Sequence, residues 1–118
     1  METEQYHTKL RRLLDEYAHF VYKITQKLPR EEIYGVTSQL RRSALSATLN
    51  YIEGYARIRD KTYRSFLEIA YGSLKESKYL LEFAYKENYL TKEEYTKATK
   101  IAENIGAMLW GIMRKINN

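Results

Sequence analysis

Cysteine is absent from the 118-residue chain, so disulfides and thiolate-held metal centres are excluded. The absence fits a reducing compartment, and the cytoplasm is the expected location. Proline occurs once, at Pro29, and the five glycines are scattered. Composition therefore argues against a loop-rich fold and against a glycine-rich phosphate cradle. No apolar run approaches the ~18 residues that would span a bilayer, so no membrane segment is expected. The segment from Glu2 to Lys9 is polar, so no secretory signal is expected either.

Histidine is scarce, with two copies. A di-iron bundle needs a Glu-x-x-His from each of two helices and a further Glu from each of the other two. Here Glu4-x-x-His7 and Glu16-x-x-His19 fall on one and the same predicted helix. They cannot face each other across a bundle core, and both histidines are expected on the surface. A Ser-His-Asp arrangement is equally poorly supported. No catalytic site, metal or cofactor is expected, and the chain is not expected to be an enzyme.

What the chain does contain is helical periodicity, twelve tyrosines and a surplus of base, 20 Lys and Arg against 15 Asp and Glu. One domain covering residues 1–118 is expected from length. Apolar residues at Tyr6, Leu10, Leu13, Tyr17, Phe20 and Ile24 alternate by three and four, with Leu14, Val21 and Leu28 beside them. They predict a first helix from about Glu4 to Lys27. Leu28-Pro29 breaks it, because proline disfavours helical backbone in the residue before it. A second helix is predicted from about Arg30 to Gly54. Its core row is Ile33, Thr37, Leu40, Ala44, Ala47 and Tyr51, with small residues in its middle that let a neighbour approach closely. After a loop at about Tyr55 to Arg59, Asp60 is a candidate N-cap for a third helix.

That third helix carries the row Tyr63, Leu67, Ala70, Leu74, Ser77, Leu81 and Ala84. A second row, Phe66, Ile69, Ser73, Leu80 and Phe83, predicts burial on more than one side. Gly72 costs about 1 kcal/mol of helix propensity inside it, which a close helix contact would explain. Asn88-Tyr89-Leu90 ends the helix, and Thr91-Lys92-Glu93-Glu94 reads as a capping box. The fourth helix follows with Tyr95, Ala98, Ala102, Ile105, Leu109, Ile112 and Ile116. Long helices joined by short links predict an all-α, antiparallel up-down-up-down four-helix bundle.

Two polar features stand out. Gln39, Ser43, Ser46, Asn50 and Glu53 form a polar row on the second helix. It is either a solvated edge or a seam against another helix or subunit, and a catalytic role is the least supported reading. The basic residues Arg41, Arg42, Arg57, Arg59, Lys61 and Arg64, with Tyr55 and Tyr63 among them, are the candidate nucleic-acid-binding set. Cations meet phosphates, and ring faces stack bases. Solvated charge at a helix end is the plainer alternative. Arg41 and Arg42 are the weaker members, since adjacent helix positions point about 100° apart. One of them is an alternative partner for a carboxylate such as Glu53 across a subunit boundary.

The stretch LPREEIYGVTSQLRRSALSATLNYIEGY, from Leu28 to Tyr55, carries a specific pattern: Pro29, Glu32, Tyr34, Gly35, Thr37, Ser38, Gln39, Arg41, Arg42, Asn50, Glu53, Gly54 and Tyr55. With RSFLEIAYGSLKESKYLL and YLTKEEY further on, it resembles the four-helix-bundle proteins of 23S ribosomal RNA intervening sequences. Tyr51 departs from the smaller residue more usual there. The resemblance implies a barrel-shaped homopentamer. It also implies kinship with the accessory proteins of diversity-generating retroelements, which partner a reverse transcriptase and bind nucleic acid through a basic surface. The expected function is that of a non-enzymatic oligomeric basic scaffold binding RNA or DNA, accessory to a reverse transcriptase. The alternative is a structural homo-oligomer that binds another protein and no nucleic acid.

Overall fold

A computed structural model describes residues 3–57 and 61–116. Four helices account for most of them: α1 (Glu4–Thr25), α2 (Val36–Tyr55), α3 (Thr62–Lys86) and α4 (Lys92–Met113). No strand occurs among the described residues. Contacts at both ends fix the topology. Tyr6 at the start of α1 donates its hydroxyl to Met108 O near the end of α4, 2.8 Å away. Lys27, just past the end of α1, pairs with Glu94 in the first turn of α4. Arg41 reaches back to Thr25, and Lys78 on α3 meets Glu103 on α4 at 3.6 Å. Neighbouring helices therefore run antiparallel in an up-down-up-down bundle of 44 × 24 × 18 Å.

The caps follow from local chemistry. Thr3 Oγ1 accepts from the Tyr6 N–H at 3.1 Å and opens α1. The capping box at α4 is complete: Thr91 Oγ1 accepts from Glu94 N–H, and the Glu94 carboxylate accepts from Thr91 N–H. At the end of α3, Asn88 adopts a left-handed φ of 64°. Tyr89 N–H then reaches Ala84 O and Asn88 N–H reaches Tyr85 O, closing a Schellman motif with asparagine in the glycine position. Asp60, the expected cap of α3, lies outside the described residues.

The second helix begins later than expected. Residues Arg30–Glu32 form a single 3₁₀ turn, and α2 starts only at Val36. Glu32 is the reason. Its carboxylate accepts from Val36 N–H at 3.2 Å and from the Tyr89 hydroxyl at 2.9 Å, which holds it outside α2 as a cap. Gly35, at φ −111° and ψ −114°, makes the break. Ile33, expected in the core row, is consequently 53% exposed.

The core consists of four heptad-like rows. On α1 the buried row is His7, Leu10, Leu14, Tyr17, Val21 and Ile24: Leu10, Tyr17 and Ile24 come from the expected row, Leu14 and Val21 from the row expected beside it, and His7 from neither. Tyr6, Leu13 and Phe20 are only partly buried. On α3 the buried row is the expected one from Tyr63 to Ala84. The flanking row is covered only in part: Phe66, Ser73 and Leu80 are half-buried, whereas Ile69 and Phe83 are exposed. Small residues on α2 do bring α3 close. A Cβ on Gly54 would sit 3.0 Å from Phe66 Cβ. Gly72, by contrast, has nothing within 4 Å of where its Cβ would be, so no helix contact within the chain explains it.

Candidate nucleic-acid interface

The expected basic set divides in two. Arg41 lies in the second turn of α2 and Arg57 two residues past its last residue, Tyr55, so at least about 21 Å of helix axis separates them at 1.5 Å per residue. Arg41 is half-buried. Its Nε donates to Thr25 Oγ1 at 2.8 Å, a terminal nitrogen donates to Tyr22 O, and the guanidinium lies 4.6 Å from the centre of the Tyr22 ring. It ties the start of α2 to the carbonyl end of α1, where a cation is favoured. Arg42 is exposed beside Leu45 and Leu49 on a shallow groove along α2.

Arg57, Lys61 and Arg64 gather at the other end, and Arg59 lies outside the described residues. Arg57 is exposed, pairs with Glu53 one turn earlier, and sits 5.1 Å from the Phe66 ring centre. Glu53 is thus engaged within its own chain. Lys61 is exposed. Arg64 is partly buried: it donates to Met113 O and Ile116 O, and its Nε donates to Glu68 at 3.0 Å. It holds the last turn of α4 as much as it offers charge.

The antiparallel topology adds cations that the linear sequence keeps apart. The starts of α1 and α3 and the ends of α2 and α4 share one end of the bundle. Lys9, Arg11, Arg12, Arg114 and Lys115, all exposed, therefore join Arg57, Lys61 and Arg64 there. Glu4, Glu53 and Glu68 oppose them there, and Asp15 and Glu16 stand one turn beyond Arg11 and Arg12 on α1. A predicted up-down topology was enough to find this set, but runs of neighbouring charge in the sequence were not.

The same end contains a ring cluster that the periodicity missed. His7 is 5% exposed, not a surface residue as expected, because it occupies the first position of the true buried row. Its Nδ1 shares a 2.6 Å hydrogen bond with the Tyr51 hydroxyl. The Tyr55 ring packs 4.5 Å from the His7 ring, and Tyr51 lies nearly parallel to both. Burial, reinforced by the neighbouring Tyr63 and Tyr55, pushes the Tyr51 hydroxyl well above its ordinary range. Tyr63 is 4% exposed and cannot stack a base, whereas Tyr55 is 38% exposed. His19 is exposed, 3.4 Å from Asp15.

The polar row on α2 is in part an internal seam. Ser46 and Ser73 share a 2.8 Å hydrogen bond across α2 and α3, and the Asn50 amide donates to Ser46 O. Ser43 is buried and donates to Leu40 O. Beside this seam the outer face of α2 and α3 leaves Leu45, Leu49, Ile69, Tyr79 and Phe83 exposed. Among the described residues, no His, Asp and Glu group is placed to hold a metal ion, and no helix is long and apolar enough to cross a membrane.

These features define an all-α, antiparallel four-helix bundle with cations collected at one end and an uncovered apolar face along two helices. The chain belongs to the family of 23S rRNA-intervening sequence proteins, which it matches over residues 9–111. It is similar in structure to a protein of unknown function from the S23 ribosomal protein family of Bacteroides thetaiotaomicron VPI-5482. The two share a TM-score of 0.82 and 22% identity, over 90% of this chain and 99% of that one. Among curated protein sequences, none matches the chain.

Proposed function

We propose that the protein is a non-catalytic scaffold that assembles into a homo-oligomeric ring and binds RNA or DNA through the cationic end of its bundle. The observation that supports this reading is that Arg11, Arg12, Arg57, Lys61, Arg114 and Lys115, all exposed, are carried by four different helices to the same end of the bundle. Phosphates displace condensed counterions on such a surface, so binding carries little sequence preference and weakens steeply with salt. A ring repeats the surface and adds avidity without new contacts. A reverse transcriptase is the protein partner we propose, on the sequence resemblance to retroelement accessory proteins alone. The exposed apolar face favours a second reading, a homo-oligomer whose partner is another protein and which has no nucleic-acid role.

Fluorescence anisotropy with labelled RNA and labelled DNA, at low and at physiological salt, separates the two. The informative variant is Arg57→Ala with Lys61→Ala. Arg64 is left intact because its loss would loosen the end of α4. The expected result is binding at low salt that falls with rising salt, and a weaker, less salt-dependent variant. No binding by the parent at low salt would leave the protein-binding reading in its place.

A further inference from the structure

We propose that the groove between the first turns of α1 and the last turn of α2 receives an unpaired nucleobase, stacked on Tyr55 with its phosphate on Arg11. The inference rests on the nucleic-acid reading above and says which part of the nucleic acid this end selects. The groove has a volume of about 340 Å³, within the range of ~300–1,000 Å³ usual for small-ligand sites. His7 and Tyr51, both buried and joined by their 2.6 Å hydrogen bond, make a fixed aromatic floor. Tyr55 packs on that floor, 4.5 Å from the His7 ring, and is 38% exposed, so its ring is held by its neighbours beside solvent.

The polar rim says which part of a nucleotide enters. Glu4, Thr8 and Arg11 lie on one face of α1 at the mouth. The Glu4 carboxylate repels a phosphate and accepts from the amino group of a base. Arg11 attracts the phosphate and is continuous with the cationic end. A base inward and a phosphate outward satisfies both. In a duplex the base faces are already stacked and the amino edges paired, so only a single-stranded end, loop or bulge presents what the groove takes.

The test compares a blunt RNA duplex with the same duplex carrying a short single-stranded overhang that contains 2-aminopurine, at low salt. The parent protein is expected to bind the overhang substrate more tightly and to quench 2-aminopurine as that base stacks. Tyr55→Ala is expected to weaken overhang binding about tenfold or more while leaving blunt-duplex binding unchanged. Tyr55→Phe, which keeps the ring, is expected to behave as the parent. Circular dichroism confirms that both variants keep their helices. Equal affinity of Tyr55→Ala and parent for the overhang, or no quenching at saturation, overturns the groove. Salt-dependent binding to the blunt duplex would then still stand for the wider reading. Binding of neither substrate overturns both.

Discussion

Tyr17 is fully buried at the middle of the bundle, with its hydroxyl 2.7 Å from Ser77 Oγ. Burial raises its pKa from the ordinary 10.0 to about 12, although the Ser77 hydrogen bond pulls slightly the other way. The folded state therefore prefers the neutral phenol. The stability this contributes is complete below pH 10 and is lost as pH rises towards 12. Tyr17→Phe removes that linkage and one hydrogen bond. At neutral pH it should cost about 1 kcal/mol, at the lower end because Ser77 also donates to Leu74 O at 2.7 Å. Between pH 10 and 12 the variant should lose stability less steeply than the parent. Urea unfolding at a series of pH values checks both; parallel pH profiles would mean that Tyr17 titrates no differently when folded. The row on α1 shows how one residue type misled the periodicity. Tyr6 and His7 are adjacent, and choosing the tyrosine as the apolar member centred the stripe on Tyr6, Leu13 and Phe20, where the buried row takes His7, Leu14 and Val21 while sharing Leu10, Tyr17 and Ile24.

At the level of the helices, two glycines with the same intrinsic cost are expected to respond oppositely to the same change. Gly54 lies where α2 and α3 nearly touch, with Phe66 Cβ and Tyr63 O within 3.4 Å of an added Cβ. Gly54→Ala should push the helices apart or force Phe66 to shift, costing ~1–3 kcal/mol. Gly72 meets nothing, and Gly72→Ala should stabilise the isolated bundle by up to about 1 kcal/mol. Thermal unfolding of the two variants beside the parent checks the sign; destabilisation by Gly72→Ala would show that something covers it. The helices themselves were legible because the apolar spacing, the capping box at Thr91 and the break at Pro29 are local signals. The late start of α2 was not, since it depends on Glu32 being held by Tyr89 from a distant loop. The cationic end was half legible: Arg57, Lys61 and Arg64 are near one another in sequence, whereas Arg11 and Arg114 join them only once four helix ends are folded together. Arg41 looked like part of the same patch, but the carbonyl end of α1 takes it.

The whole molecule presents an apolar face that its own fold does not cover. Leu45 and Leu49 on α2 and Ile69, Tyr79 and Phe83 on α3 are each exposed, and a Cβ at Gly72 on α3 would meet nothing within 4 Å. A contiguous exposed apolar surface on a small protein marks a place of contact. If the assembly is a pentamer, symmetry dictates more than the use of that face. A ring of five cannot be built from self-complementary contacts, so the face must pack on a different surface of the next copy. Trp110, on α4 and 52% exposed beside Tyr71, is the anchor offered by the remaining helices. Light scattering of the parent at micromolar concentration should give five times the 14.1 kDa of one chain. Leu49→Glu alone and Trp110→Ala alone should each give monomers with unchanged helical content, because neither residue is part of the core. Mixed, the two variants have one intact face each, the apolar face from one and the Trp110 surface from the other. They should form a single sound contact and stop at a heterodimer. A mixture that stays monomeric would mean that these two surfaces do not meet, and a parent of monomeric mass would remove the ring altogether.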